Sequence, residues 1–132
     1  MGNPALQLLV IDDDDINIFI IRKIVAKLEM NIQMVAKSNG QQAIDYLKQA
    51  KAQQENLPQL ILVDINMPLM NGWEFIEAYN LLHIDQHVDM YILSSSVYEN
   101  DIEKSKSYKI VKGFISKPLS MERLGELIKA VR

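Results

Sequence analysis

The sequence of 132 residues contains no cysteine. The absence of thiols excludes disulfide bonds, cysteine nucleophiles and thiolate metal sites, and it suits a reducing compartment. Basic residues do not cluster and the net charge is −3, so the chain lacks the positive surface that binds nucleic acid phosphates. No apolar run approaches the roughly 18 residues that span a bilayer, and no signal peptide pattern opens the chain. We therefore expect a cytoplasmic protein that binds neither nucleic acid nor a membrane.

The composition that is present is that of an ordinary globular protein, with 48% hydrophobic and 23% charged residues. A chain of this length buries most of its unfolded surface on folding, so it needs no disulfide or structural metal. No internal repeat or low-complexity linker interrupts it. We expect one domain over residues 1–132.

Five short apolar runs alternate along the chain with segments whose apolar residues recur at helical spacing. The runs occupy residues 6–11, 32–36, 60–64, 90–94 and 112–116. The first, third and fourth runs are almost continuously apolar, which is typical of central parallel strands buried on both faces. Among the helical segments, 98–108 has the thinnest apolar face. The alternation predicts an α/β fold, in which helices cover both faces of a doubly wound parallel sheet.

Capping residues predict where two of the helices begin. Ser38 is predicted to cap the second helix, with Gln41 three residues later completing a capping box. Ser120 is predicted to cap the last helix.

The acidic run 12–15 places four adjacent carboxylates directly after the first strand. Their mutual repulsion can be relieved by water in a solvated loop or by a divalent cation, which takes oxygen ligands. We interpret Asp14 and Asp15 as part of the next helix start, where negative charge interacts favourably with the helix dipole, and Asp15 as the capping residue. Asn17 is interpreted as a polar helix residue.

Polar residues follow the predicted strands at their carboxyl ends. The acidic run follows the first strand, Asp64 ends the third, serines at 94–96 end the fourth, and Lys117 follows the fifth. Open parallel sheets form their binding sites beyond these ends. Four sets of residues that are distant in sequence are therefore predicted to converge on one edge of the sheet.

With these motifs in place, the chain resembles the receiver domains of two-component response regulators, including the single-domain regulators of chemotaxis. The resemblance is carried by the acidic cluster, by D-x-x-M-P-x-M-x-G from Asp64 to Gly72, by a hydroxyl residue that ends strand four and by Lys-Pro at 117–118. These motifs span Val10 to Pro118, nearly the whole chain. The resemblance implies a flavodoxin-like (βα)5 fold with strand order 2-1-3-4-5, and a cis peptide bond before Pro118.

The same resemblance implies that Asp64 accepts a phosphoryl group from a histidine kinase or a histidine phosphotransfer protein. The chain would then be a phosphorelay signalling switch that catalyses only its own phosphorylation and dephosphorylation. Ser94 would contact the phosphoryl group and Lys117 would pair with it. Mg²⁺ would be the cofactor, with Asp13 as a direct ligand and the remaining ligand set drawn from Asp12, Asp64 and the backbone carbonyl of Asn66.

Physical chemistry supports these implied roles. Mg²⁺ prefers oxygen ligands and keeps several waters, so a few carboxylates and a carbonyl suffice to hold it. The ion offsets repulsion among the acids and neutralises charge that develops on a transferring phosphoryl group. Phosphoryl transfer depends mainly on positioning and electrostatics, so few groups are required. A lysine is a compact charge on a flexible stem that can follow phosphate oxygens.

The resemblance also implies how phosphorylation is transmitted. Ser94 and Phe114 occupy the switch positions, where the family most often has threonine and tyrosine, and the output face is expected over residues 98–131. Asn66 and Ser96 lie where the family tunes the lifetime of the phosphoryl group. No effector module follows in this sequence, so we expect the output to be binding of a downstream protein target or relay of the phosphoryl group. Dimerisation on phosphorylation is left open.

Three alternative functions can be weighed from the residues. A calcium-binding EF-hand loop starting at Asp13 would need glycine and glutamate where Ile18 and Ile24 stand. A haloacid-dehalogenase-like phosphatase would need an aspartate in the place of Asn66. A pseudo-receiver, which binds partners without being phosphorylated, stays open as the alternative, and a phosphodonor assay distinguishes it from a switch.

Overall fold

The computed structural model describes residues 4–95 and 99–131. The strands are β1 (Leu6–Ile11), β2 (Ile32–Lys37), β3 (Leu60–Asp64), β4 (Asp89–Ser94) and β5 (Val111–Ser116). The helices are α1 (Asp15–Lys27), α2 (Gly40–Gln53), α3 (Gly72–Leu81), α4 (Glu99–Lys106) and α5 (Met121–Val131). Each predicted strand and helical segment is present, with strand bounds within one residue of those predicted. Within the described ranges, no helix combines the length and apolarity needed to cross a membrane.

All strand pairs are parallel, and the sheet has the order β2-β1-β3-β4-β5. The predicted flavodoxin-like order is therefore confirmed. The three most apolar strands, β1, β3 and β4, are the central ones, as their composition predicted, and every residue of β3 is buried. Strands that are covered on both faces can carry apolar side chains at every position, which explains their continuous apolar runs.

Two apolar cores lie on opposite faces of the sheet. The core beneath α2 and α3 includes Ala43, Leu47, Phe75 and Ile76. The core beneath α1 and α5 includes Ile21, Leu124, Leu127 and Ile128. The sheet is thus held between two helical layers.

Two predicted caps are wrong by one residue and a third is confirmed. Helix α2 is capped by Asn39, whose Oδ1 accepts the Gln42 N–H at 2.9 Å, and not by Ser38. Helix α1 is capped by Asp14, which has extended backbone, while Asp15 is already helical. In both helices the predicted cap and the observed cap are adjacent residues of types that cap helices, and the backbone conformation decides between them. Ser120 caps α5 as predicted, since its Oγ accepts the Arg123 N–H at 3.0 Å.

Helix α4 is attached to α3 by an aromatic contact near its carboxyl end. Trp73 in α3 stacks on Tyr108, with ring centroids 5.7 Å apart and planes 17° apart. The Lys104 ammonium lies 4.9 Å from the centroid of the Trp73 ring, and the Tyr108 hydroxyl donates to Glu77 Oε1 at 3.2 Å. These contacts supplement the thin apolar face that the sequence predicted for this helix.

Gly72, at the start of α3, packs directly on the backbone at the end of β3. A Cβ at this position would lie 2.5 Å from the Asp64 carbonyl oxygen and 2.8 Å from the Ile65 Cα. We expect Gly72→Ala to lower the free energy of unfolding by about 3 kcal/mol, because backbone atoms on both sides must shift. Urea unfolding measures the change.

Gly125→Ala is the matched control for this prediction. Gly125 lies inside α5, and an added Cβ would meet only Leu28 Cδ2 at 3.5 Å, an ordinary contact. Alanine is favoured over glycine in a helix by about 1 kcal/mol, so this variant should be more stable than the parent. Equal effects of the two substitutions would contradict the close backbone approach at Gly72.

Candidate functional site

The carboxyl edge of the sheet brings the predicted site residues together through strand register. Ile11 in β1 pairs with Val63 in β3, so the next residues, Asp12 and Asp64, follow neighbouring strands at the same level. Both carboxylates are buried, with relative exposures of 1% and 6%. The convergence predicted from the strand ends is therefore present for these two acids.

Backbone hydrogen bonds fix the segments that carry the site. The Asp12 N–H donates to the Lys37 carbonyl at the end of β2 at 3.0 Å, and the Lys117 N–H donates to the Ser94 carbonyl at 2.8 Å. The Gly72 N–H donates to the Ile65 carbonyl at 2.8 Å and closes the loop after Asp64. The Lys117–Pro118 peptide bond is cis, as the resemblance implied. The segments that carry Asp12 and Lys117 are therefore each hydrogen-bonded to the end of a neighbouring strand.

Lys117 bridges the two buried carboxylates. Its Nζ lies 2.7 Å from Asp12 Oδ2 and 3.5 Å from Asp64 Oδ2, and its side chain is 12% exposed. Burial lowers the pKa of Lys117, but the hydrogen bonds and negative charges of Asp12 and Asp64 together outweigh burial and raise it. Lys117 therefore stays charged at physiological pH and compensates part of the acidic charge.

Burial raises the pKa of Asp64 to about 6 from its ordinary 3.8. The positive charge of Lys117 lowers it, the negative charge of Asp12 raises it, and the Asn66 N–H, 3.4 Å from Asp64 Oδ1, lowers it. Desolvation is the largest of these effects because the carboxylate has lost most of its water. Perturbed pKa values cluster at functional sites, so the buried Asp64 is a candidate functional residue.

Asp12, Asp13 and Asp64 form a cluster that could hold a metal ion. Each offers a carboxylate oxygen, and these oxygens lie within 4.8 Å of one another. Asp13 is exposed while the other two are buried, so the cluster opens to solvent on the side of Asp13. An all-oxygen set with high negative charge fits Mg²⁺, which prefers hard oxygen ligands and retains waters.

The remaining predicted residues lie around this cluster. Ser94 is buried at the end of β4, one residue after Leu93, which pairs with Asp64. Asn66 is exposed two residues after Asp64, and the role of its carbonyl stays a prediction. Phe114 is half-buried against the core on the α3 side of the sheet. Ser96 lies outside the described residues.

One contact at the site was missed from the sequence. Asn17, interpreted above as a polar helix residue, is buried, and its Nδ2 donates to Asp12 Oδ2 at 2.7 Å. A buried amide requires a hydrogen-bond partner, but the sequence alone does not tell that this position in α1 is buried. Asp14 was correctly assigned to the helix start, since its carboxylate accepts the N–H groups of Ile16 and Asn17.

A cleft of about 720 Å³ lies at the opposite edge of the sheet, where β4 and β5 begin. Its lining includes Tyr79, His87, Tyr108 and Lys112. His87 and Lys112 both pair with buried Asp89, at 2.8 and 3.2 Å. The cleft contains none of the predicted site residues.

Comparisons with known proteins show which family and which solved structures the chain is similar to. A family model described as the response regulator receiver domain matches residues 8–129. The crystal structure of a two-component response regulator from Cytophaga hutchinsonii is similar to this chain with a TM-score of 0.86 and 31% identity, over 98% of both chains.

Two curated relatives differ greatly in their length. The polar-differentiation response regulator DivK of Brucella anthropi is 24% identical over 124 residues, which are 94% of each chain. The 3',5'-cyclic-nucleotide phosphodiesterase regA of Dictyostelium discoideum is 26% identical over 130 residues, which are 96% of this chain but 15% of that protein. Similar domains thus occur both nearly alone and as a small part of a larger protein.

Proposed function

The chain belongs to the response regulator receiver domain family, and on that premise we propose that it is a phosphorylatable switch of a two-component phosphorelay that accepts a phosphoryl group on Asp64. The observation that carries the proposal is the buried Asp64 carboxylate with Lys117 on one side and the oxygens of Asp12 and Asp13 within 4.8 Å. The donor would be the phosphohistidine of a histidine kinase or of a phosphotransfer protein. We also propose that residues 1–132 form one receiver domain.

In the transfer step, an Asp64 carboxylate oxygen forms a bond to phosphorus. The bond between phosphorus and the imidazole nitrogen of the donor breaks, and the imidazole leaves with the bonding electron pair. The product is an acyl phosphate on Asp64, and its hydrolysis by water releases inorganic phosphate and returns the carboxylate. The chain is therefore a switch that turns over only its own phosphoryl group, and not an enzyme with a separate substrate.

Asp12, Asp13, Asp64 and the Asn66 carbonyl would hold Mg²⁺ at this site, with Asp13 as a direct ligand. Bound Mg²⁺ supplies positive charge that offsets the negative charge on the transferring phosphoryl oxygens. The charge and oxygen donors of the acidic cluster support this assignment. Lys117 adds a second positive charge from the protein itself.

Lys117→Met is expected to slow phosphorylation of the protein by a small-molecule phosphodonor about a hundredfold. The reason is the loss of a buried positive charge that lies next to Asp64 and stabilises the developing charge on the phosphoryl group. The rate is measured as the gain of one phosphoryl group by mass spectrometry in the presence of Mg²⁺.

Lys112→Met is the matched control for Lys117→Met. Lys112 also pairs with a buried aspartate, with its Nζ 3.2 Å from Asp89 Oδ1, but at the opposite edge of the sheet. The Lys112→Met variant should therefore be phosphorylated at the parental rate. Similar losses in both variants would assign the effect to destabilisation and not to the charge beside Asp64.

We propose that the output passes through Ser94 and Phe114 to the face formed by α4, β5 and α5. Phosphorylation adds negative charge and strong acceptors beside buried Ser94. Phe114 lacks the hydroxyl of a tyrosine, so its part in the switch depends on packing alone. The face would bind a downstream protein target or a further phosphotransfer protein, and phosphorylation could join two copies through it.

A stable phosphoryl analogue on Asp64 is expected to shift backbone amide resonances between residues 94 and 114, while those of β2 stay in place. The sole tryptophan, Trp73, offers a second readout. Its ring contacts Lys104 and Tyr108 at the carboxyl end of α4, so movement of α4 should change its fluorescence. Unchanged amide spectra over 94–114 would contradict the proposed output.

The pseudo-receiver alternative is separated from the switch by the same phosphodonor assay. A switch gains one phosphoryl group in the presence of Mg²⁺. A protein that binds Mg²⁺ and stays folded but gains none would be a scaffold that binds partners without phosphorylation.

A further inference from the structure

Asp12 is held by three hydrogen-bond donors, two at the start of α1 and one that follows β5. Its Oδ1 accepts the Asp14 N–H at 3.0 Å. Its Oδ2 accepts both the Asn17 Nδ2 and the Lys117 Nζ, each at 2.7 Å. The two donors on Oδ2 use most of the acceptor capacity of that oxygen, so they determine the orientation of the carboxylate.

The contact of the Asn17 side chain with Asp12 is separate from the cap of α1. Asp14 is the cap of α1, and the Asn17 N–H already donates to Asp14 Oδ1 at 3.3 Å. The side-chain amide reaches back past the cap to the strand end instead. Its amino group must face Asp12, because the reverse orientation would place two oxygens 2.7 Å apart. Asn17 is 5% exposed, so water cannot readily replace Asp12 as its partner.

The two donors on Oδ2 differ in mobility. Lys117 is a flexible side chain that also lies 3.5 Å from Asp64 Oδ2, so under the proposed function it would turn from Asp12 toward a phosphoryl group there. Asn17 is short, buried and fixed on α1, so it stays with Asp12 when Lys117 turns away. A carboxylate with a constant second partner keeps its orientation toward a metal ion.

We propose that Asn17 is a positioning residue of the metal site, which holds the Asp12 carboxylate through Oδ2 while Lys117 moves between Asp12 and the phosphoryl group on Asp64. The inference rests on the proposed function for the movement of Lys117. The hold on Asp12 and its effect on Mg²⁺ are independent of phosphorylation and can be tested without it.

Asn17→Leu removes the donor while it keeps the branched shape and the number of heavy atoms of the side chain. We expect it to raise the dissociation constant for Mg²⁺ about tenfold, which is the effect typical of losing a group that orients a metal ligand. The constant is measured by calorimetry on the whole chain. Gln59→Leu is the control, because Gln59 Oε1 accepts the Gln7 N–H at 3.1 Å at the opposite edge of the sheet. The control should lose stability but bind Mg²⁺ with unchanged affinity, and circular dichroism fixes a temperature at which all variants are folded.

A double-mutant cycle with Lys117→Met tests whether the two donors share one carboxylate. In the Lys117→Met background Asn17 is the remaining side-chain donor to Oδ2 among the described residues, so its loss leaves that oxygen without one. We expect Asn17→Leu to weaken Mg²⁺ binding about tenfold in the parent and about a hundredfold in the Lys117→Met background. An effect below twofold in both backgrounds, or an equal effect of Gln59→Leu, would overturn the proposal.

The side-chain amide resonance of Asn17 gives a readout that a purely structural role would not move. It should shift on addition of Mg²⁺ and retain its hydrogen-bonded position when a phosphoryl analogue is bound at Asp64. A resonance that moves to the position of a solvent-exposed amide when the analogue is bound would contradict a lasting hydrogen bond between Asn17 and Asp12. Failure of phosphorylation with an intact Mg²⁺ effect of Asn17→Leu would instead refute the proposed function and leave Asn17 as a positioning residue.

Discussion

Asp64→Asn is expected to abolish the gain of a phosphoryl group when the protein is incubated with Mg²⁺ and a small-molecule phosphodonor. The asparagine amide has nearly the size of the carboxylate but no anionic oxygen to attack phosphorus, so no acyl phosphate forms. The fold should persist, because the substitution removes a charge that is costly to bury and leaves the packing unchanged. Intact-mass spectrometry before and after incubation measures the gain directly.

Asp15→Asn is the control for this loss. Asp15 belongs to the same acidic run but lies exposed in the first turn of α1, outside the cluster of Asp12, Asp13 and Asp64. It should gain the phosphoryl group as the parent does. Retention of the mass gain in Asp64→Asn, with the group mapped to another residue, would place the acceptor elsewhere and refute the proposed function.

The second large effect concerns stability in the absence of metal. Because the pKa of Asp64 is about 6 in the folded protein and 3.8 when unperturbed, the folded state binds more protons than the unfolded state between these two values. Stability therefore falls as the pH rises from about 4 to about 6, and the penalty stays constant above that range. A shift of this size corresponds to about 3 kcal/mol, which partial solvent screening reduces to on the order of 2 kcal/mol.

Asp64→Asn removes this titration, so in EDTA it should be more stable than the parent at pH 7 by on the order of 2 kcal/mol, because the raised pKa already includes the ion pair with Lys117. The two proteins should approach equal stability near pH 4. Mg²⁺ should restore the stability of the parent at pH 7, since it binds the folded state. It should stabilise the variant less. Urea unfolding at several pH values measures the difference, and a difference that does not change between pH 4 and pH 7 would contradict the burial argument.

Much of the fold follows from local properties of the sequence. The apolar runs locate the strands, and the continuous runs of β1, β3 and β4 correctly predicted which strands are central, because only a strand covered on both faces can be apolar at every position. The convergence of Asp12, Asp64 and Lys117 followed from one rule, since the carboxyl ends of parallel strands share one edge. The order of the strands came from family resemblance, because alternation alone does not specify it.

Helix starts and the inner contacts of the site were decided by the tertiary structure. Asp14 and Asp15, like Ser38 and Asn39, are adjacent candidates for a cap, and only the backbone conformation selects between them. The sequence determined which charged groups meet, but packing determined that Lys117 lies closer to Asp12 than to Asp64. Packing also buried Asp64 enough to raise its pKa and placed the Asn17 amide against Asp12. Differences in distance of less than one ångström, and the loss of water around Asp64, depend on how the helices pack on the sheet. Residue types and their spacing do not specify this packing.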